Sequence, residues 1–370
     1  MMRLTLVISS MSTGGAERSM AYLANAWAAK GWSISLLTLD SAPSFYSLDP
    51  RIRYRPLGIA GQSPSVFAAT ANNLRRLRIL RRAIRAEQPA AAVSFMDTTN
   101  VLTLLAIQGL GLPVIVSEWV DPAQQPIGGC WALLRRWLYP RATRFIVQTQ
   151  RNLEYYPSSI QRIARVIPNA LIVPKEAQRY VPQHPPGRSK VVIAMGRLVE
   201  QKGFDMLLRA FGRIAAKHPD WILNLWGEGE KRAELESLIA KLGLQPRAQL
   251  CGLTRQPFER FLEADLFVLS SRYEGLPNVL CEAMACGLPV ISFDCPTGPR
   301  EIIRDGLDGT LVPEGDVDAL AAAMDRLMGD ESERKRLSTR AVEVRERFDI
   351  EKVVGMWEQA LGEATLAREQ

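Results

Sequence analysis

Short, uninterrupted apolar runs separated by segments of helix length recur along the whole chain and limit its folding options more than any other feature. In the first half they are Leu4–Ser9, Trp32–Leu39, Ala91–Ser94, Val114–Ser117 and Arg144–Gln148. In the second half Lys190–Met195, Ile222–Trp226, Gln249–Cys251, Leu266–Ser270 and Val290–Phe293 repeat the arrangement. A strand apolar on both faces must be covered on both faces, as in parallel sheets flanked by helices. The intervening amphipathic segments supply the right-handed crossovers that such sheets need. The chain is therefore predicted to be α/β with two doubly wound parallel-sheet domains, which its 370 residues accommodate. The Pro-rich stretch Pro174–Ser189 is the expected linker, giving domains over 1–178 and 188–351. A helix near Ile350–Ala367 carries Val353, Met356, Trp357 and Leu361 on one face, and residues 352–370 are expected to pack back on the first domain. Ligands of such sheets bind at the carboxyl ends of the strands, so a cleft between the domains is the expected site.

Several function classes drop out early. His184 and His218 are the two histidines, and neither has a metal-ligand neighbour at useful spacing, which disfavours a His-based metal site or a Ser-His-Asp triad. The five cysteines, Cys130, Cys251, Cys281, Cys286 and Cys295, form no Cys-x-x-Cys pair and read as reduced, consistent with a cytoplasmic protein. The apolar start Leu4–Ile8 is too short for a signal peptide and runs into a Gly-Gly loop. Residues 98–117 are uncharged, but Gly109, Gly111 and Pro113 break them into a short helix and a buried strand, so no membrane span is expected.

Charge is divided unevenly. Residues 1–186 hold 21 Lys/Arg against 9 Asp/Glu, whereas 187–370 hold 25 against 30. A basic first half points to an anionic partner: a phosphorylated substrate, a phospholipid surface or a nucleic acid. The last has no recognised motif or aromatic platform to support it.

The chemistry concentrates in Glu274-Gly275-Leu276-Pro277-Asn278-Val279-Leu280-Cys281-Glu282. A Gly-Pro turn opens a helix between two carboxylates, so Glu274 lies in the loop and Glu282 about one turn inside the helix. Amides at that start can hold an anion while the acids reach hydroxyls on either side. Upstream, Gly196-Arg197-Leu198 and Gln201-Lys202-Gly203 follow the strand Val191–Met195, and Arg197 and Lys202 can converge on one phosphate. The loop Ser12-Thr13-Gly14-Gly15-Ala16-Glu17 makes a similar strand-to-helix turn in the first half, without the third glycine of a dinucleotide fingerprint.

Gly14-Gly15-Ala16-Glu17, Gly196-Arg197-Leu198 with Gln201-Lys202-Gly203, Trp226-Gly227-Glu228-Gly229 and Glu274–Glu282 occur in that order. Together they resemble the family-four glycosyltransferases, retaining enzymes of the GT-B fold, in which two Rossmann-like domains face across a cleft. The resemblance implies that Glu282 binds the donor ribose, Glu274 the donor sugar, Arg197 and Lys202 the diphosphate, and Gly14 and Gly15 a phosphate from across the cleft. It places the base after Gly227 and near Cys251–Leu253, with Gly275, Leu276, Asn278 and Val279 lining the donor. No metal ion or cofactor is implied, and the acceptor attacks on the face of the leaving group. Many members carry a His near the anomeric carbon; here Val116-Ser117-Glu118-Trp119-Val120-Asp121 occupies that place. Glu118 is the candidate contact to donor sugar or acceptor, or equally a carboxylate capping the next loop.

Cys295-Pro296-Thr297-Gly298-Pro299-Arg300-Glu301 is similar to transferases of bacterial surface polysaccharides and lipid-linked oligosaccharides, which implies a UDP-sugar donor and a glycan or undecaprenyl-diphosphate-type acceptor. A helix over Leu74–Glu87 sets Arg75, Arg78, Arg81, Arg82 and Arg85 on one arc, suited to an anionic membrane surface. The stretch from Trp131 to Tyr139 adds aromatic and basic residues of the same kind, or core packing. A catalytically silent sugar-nucleotide-binding partner, a transferase with a soluble acceptor, and an NAD-dependent oxidoreductase are the competing readings.

Overall fold

The computed structural model describes residues 2–61, 66–119, 127–175, 177 and 187–366, with backbone alone at 66–71. Val120 and Asp121, most of the expected linker and the end of the last helix lie outside the described residues. The chain divides into two compact units, Met1–Ala170 with Ile350–Gln370, and Leu171–Asp349. The division precedes the expected linker because Leu171, Val173 and Ala177 pack into the second core, and Leu171 N–H donates to Phe348 O at 2.8 Å.

In the first unit the described strands are β1 (Arg3–Ile8), β2 (Ser33–Thr38), β3 (Arg53–Pro56), β4 (Ala91–Phe95), β5 (Val114–Ser117), β6 (Arg144–Val147) and β7 (Ala164–Val166). They form a parallel sheet in the order β3-β2-β1-β4-β5-β6-β7. Alternation along each strand separates two cores. Leu6, Val93, Phe95, Ile115 and Ile146 face α1 (Gly15–Ala29) and the helix Ile350–Leu366. Trp357 of that helix meets Phe95 with ring centroids 5.5 Å apart and Trp27 at 6.5 Å, so it belongs to the first unit. Val353 and Leu361 are buried with it, whereas Met356, at the edge of the stripe, is exposed.

The opposite residues, Val7, Ala92, Val114, Val116 and Phe145, face α2 (Val66–Glu87), α3 (Asp97–Ala106) and α4 (Gly129–Leu138). On α2 the buried Leu80, Ala83 and Ile84 leave Arg75, Arg78, Arg82 and Arg85 exposed. Arg81 departs from the expected stripe: its guanidinium donates to Ala106 O at 2.8 Å and Gln108 O at 2.6 Å. The end of α3 exposes carbonyls without intrahelical partners, and Arg81 satisfies them.

The second unit has β8 (Lys190–Met195), β9 (Trp221–Trp226), β10 (Ala248–Gly252), β11 (Leu266–Leu269), β12 (Val290–Asp294) and β13 (Thr310–Pro313). Its sheet is also parallel, in the order β10-β9-β8-β11-β12-β13, over a core that includes Trp221, Phe211 and Phe293. No helix among the described residues is long and apolar enough to cross a membrane. All five cysteines are free, and burial pushes the thiols of Cys286 and Cys295 up to about 12, which leaves both inert as nucleophiles.

Candidate active site at the switch point of the second sheet

Each sheet reverses its strand order once, between β1 and β4 in the first unit and between β8 and β11 in the second. Loops leaving neighbouring strands at such a point diverge and open a crevice at the carboxyl ends. In the second unit the diverging loops are 196–203 and 270–277, which carry Arg197, Lys202 and Glu274.

Backbone and side-chain bonds stitch these two loops together. Gly203 sits in the left-handed region at φ 61°, where a Cβ would lie 2.0 Å from Ser270 O. Ser270 Oγ donates to Lys202 O at 3.0 Å, Arg272 N–H to Gln201 O at 2.8 Å, and Gln201 Nε2 to Tyr273 O at 2.9 Å. So held, Lys202 Nζ reaches Glu274 Oε1 at 2.6 Å, and Ser271 Oγ donates to the same oxygen at 2.6 Å. The side chains are 16% and 7% exposed. The Thr297 hydroxyl donates to Glu274 O, and Gly298, at φ 95°, packs where a Cβ would meet Gly275 O at 2.3 Å. A largely buried ion pair recovers little stability beyond its desolvation cost, so stability alone does not explain a pair placed at a switch point.

The helix Asn278–Ala285 starts directly after Pro277, and Glu282, buried, lies one turn along it. Leu276 is buried, and Gly275, Asn278 and Val279 are half-buried beside it. Helix starts carry amides that no intrahelical carbonyl can satisfy, so this turn suits an anion.

Arg197 does not join Lys202. Leu198 turns fully into the core while its N–H donates to Glu228 O at 2.9 Å, which points the preceding side chain outward. The Arg197 guanidinium is exposed and makes no hydrogen bond or ion pair among the described residues. The expected convergence of both cations is therefore absent from this structure. Gly227, at φ 143°, has a clear structural demand: a Cβ would stand 1.8 Å from Gly196 O, and its N–H donates to Gly252 O at 2.8 Å. In the region expected to hold a base, Leu253 is 77% exposed.

In the first unit Gly14 precedes α1 in extended backbone, its N–H donating to Tyr46 Oη at 3.1 Å and its carbonyl accepting from that hydroxyl at 2.9 Å. Gly15 is the exposed first residue of α1. The Glu17 carboxylate folds over Gly14, where a Cβ would lie 2.1 Å from Oε2, and burial raises its pKa. An acid of this chain thus already occupies the helix start assigned to a phosphate.

Of the two readings open for Glu118, the structure favours a structural carboxylate at the end of β5 over a contact to sugar. Its carboxylate is 2% exposed, accepts from Tyr139 Oη at 2.6 Å and from Tyr156 Oη, and lies 3.4 Å from Arg135 Nη1. This enclosure ties α4 to the end of β5 and leaves no open face for a sugar. Sequence reading also passed over an Asp-x-Asp triplet, Asp316-Val317-Asp318. Asp316 caps the helix Val317–Gly329, accepting from Ala319 N–H at 2.9 Å, and Asp318 pairs with Arg213. Ser271 and Thr297, which fix Glu274, were missed because a hydroxyl carries no local signal of its partner. Met96, at φ 76° where β4 ends at the first switch point, was equally invisible.

Two family descriptions match in succession: a glycosyl transferase 4-like domain over residues 14–170 and glycosyl transferases group 1 over 176–344. The chain is 32% identical to an uncharacterized glycosyltransferase of Methanocaldococcus jannaschii, over 77% of this chain and 82% of that one. It is 27% identical to a Campylobacter jejuni alpha-1,4-N-acetyl-D-galactosaminyltransferase named for a diphospho-undecaprenol-linked substrate, over 98% and 99% of the two chains. Among solved structures, Anabaena HepE in complex with UDP and glucose superposes with a TM-score of 0.78 at 18% identity, covering 98% of this chain and all of that one.

Proposed function

This chain belongs to the group 1 glycosyl transferases, and from that premise we propose that it moves a hexose or N-acetylhexosamine from a UDP-sugar to a lipid-linked or polysaccharide acceptor of a cell-surface glycan, with retention. The acceptor class is supported by the diphospho-undecaprenol named for the Campylobacter relative, and the donor by the UDP named for the Anabaena structure. The observation that carries the reading is the Lys202–Glu274 pair bridging the β8/β11 switch point beside the start of the helix Asn278–Ala285.

A nucleoside diphosphate gains negative charge as its glycosidic bond breaks. In this scheme Lys202 and the positive end of the helix Asn278–Ala285 meet that charge from positions already held, and only Arg197 has to move to join them. Glu274, held by Ser271 and Lys202, is assigned the donor sugar hydroxyls, and Glu282 those of the ribose. Arg197, resting in solvent, is drawn in by the diphosphate as the second cation. The scheme requires no metal ion or organic cofactor, and the donor phosphate itself takes the proton of the attacking hydroxyl.

A panel of nucleotide sugars scored by thermal shift tests the donor. At a hundredfold excess over Kd a ligand adds about 2.7 kcal/mol, enough to raise melting of a domain this size by roughly 5–10 °C. The UDP-sugar of the correct hexose is expected to give the largest shift, to release UDP only with a lipid-linked acceptor, and to yield an α-linked product from an α-linked donor by NMR. Turnover in chelator is expected to match turnover without it. A panel in which no UDP-sugar shifts the melt, or an inverted product, overturns the assignment.

A further inference from the structure

The helical layer of the first unit presents a surface that its core does not explain. On α4 the buried side is Arg135 and Leu138, with Trp131 and Leu134 packed against the core clusters. Cys130, Leu133 and Trp137 fall at helical spacing on the other side, Leu133 70% and Trp137 53% exposed. Arg136 is exposed beside them, and Arg141, also exposed, places its guanidinium 3.9 Å from the centre of the Trp137 ring. A leucine and a tryptophan set outward beside these arginines, each more than half exposed, keep apolar area in water.

The neighbouring helices extend this surface. Helix α3 packs on both α2 and α4, and Trp131 of α4 reaches the cluster built by Leu80, Ala83 and Ile84 of α2. Because α2 buries that arc, its opposite arc, with Leu74 50% exposed among Arg75, Arg78, Arg82 and Arg85, turns outward in the same layer as α4. Glu87 is the one acid of α2, and it is taken up by Arg53, Arg55 and Ser35 at the helix end. Helix α4 contains no acid. The outward face therefore combines uncompensated positive charge with a few protruding apolar side chains.

We infer that this face of α2 and α4 docks on an anionic phospholipid surface, with Leu133 and Trp137 entering the headgroup–acyl boundary and Arg75, Arg78, Arg82, Arg85 and Arg136 meeting the phosphates. The argument for lipid over another polyanion is the apolar pair. A nucleic acid would reward the arginines and stacking rings, but Trp137 is already covered by Arg141 on one side, and Leu133 has no base to contact. A bilayer boundary rewards both, since burial of each apolar side chain adds to the attraction of each cation. The inference is independent of the transfer reaction and of its donor.

Sedimentation of the full chain with vesicles tests it. The chain is expected to pellet with phosphatidylglycerol vesicles and to stay in solution with phosphatidylcholine. Arg78→Glu with Arg82→Glu is expected to weaken the phosphatidylglycerol interaction by roughly 25-fold or more, from about fivefold per lost cation. Leu133→Ser with Trp137→Ser is expected to weaken it by about tenfold or more. All four positions are exposed or half-exposed and carry no core contact, so both variants should keep the wild-type melting curve. Absence of binding to phosphatidylglycerol, or binding that survives either double substitution, overturns the inference. Loss with the arginine pair alone, accompanied by binding of an unrelated RNA duplex, transfers the surface to nucleic acid and overturns it too.

Discussion

Lys202→Ala is expected to reduce the rate of sugar transfer by about 10²–10³-fold, chiefly through kcat. The reasoning begins with the pair itself: Lys202 Nζ lies 2.6 Å from Glu274 Oε1 in a crevice that leaves 16% and 7% of the two side chains exposed. A cation near 4 Å from a forming phosphate charge interacts by roughly 4 kcal/mol at an effective dielectric of 20, before desolvation is charged against it. That is the right size for two to three powers of ten. The same substitution strands Glu274 with Ser271 as the remaining donor to its carboxylate among the described residues, so the variant should also melt earlier. Adding Glu274→Gln separates the two effects. The double variant should regain melting temperature, because no buried charge is left alone, and should remain as slow as Lys202→Ala or slower. Initial rates at saturating donor, with melting curves of wild type, both single variants and the double, make the measurement. Full turnover by Lys202→Ala removes the electrostatic basis of the proposal.

What could be read in the sequence tracks how local the cause is. Val114–Ser117 and Lys190–Met195 were read to the residue, because a buried strand declares itself by an unbroken apolar run. Three strands went unread for the converse reason. At the edge of the first sheet β3 is Arg-Tyr-Arg-Pro with little burial, β7 has three residues, and β13 mixes Thr and Pro. Pairing with a neighbour, rather than composition, makes them strands. Within the candidate site, the start of the helix Asn278–Ala285 and the positions of Glu274 and Glu282 followed from the Gly-Pro turn. The fate of Arg197 did not. Whether it or Leu198 enters the core depends on how the chain leaves β8, which the bond from Leu198 N–H to Glu228 O decides across the sheet. Spacing could not decide between the two readings of Glu118, nor foresee Arg81, because each is a charged residue whose partners come from distant segments.

Glu118→Ala is expected to lower the stability of the first unit by about 3–5 kcal/mol while leaving UDP binding intact, because removing one partner of a buried pair leaves the other uncompensated. Arg135 would lose its counter-charge, and the hydroxyls of Tyr139 and Tyr156 their acceptor, all inside the cluster around Phe145. For a unit of this size the loss corresponds to roughly 6–20 °C in melting temperature. The pH dependence is a second signature. Burial raises the Glu118 pKa, an effect that Arg135 and the two tyrosines offset only in part. For an acid whose folded value exceeds its unfolded one, the folded state binds the proton more tightly. The proton-linked part of its stability is thus complete below the ordinary carboxylate value near 4.5 and is lost as pH climbs through the raised value, while its bonds to Tyr139, Tyr156 and Arg135 remain. Glu118→Gln, which cannot titrate, should flatten that part of the stability–pH curve of the first unit. Thermal melts from pH 4 to 8, with and without UDP, read both signatures, and the UDP-induced shift should be unchanged because Lys202, Glu274 and Glu282 belong to the second unit. A Glu118→Ala protein that melts like wild type but has lost transfer would return Glu118 to the reacting sugar and contradict the enclosure seen here.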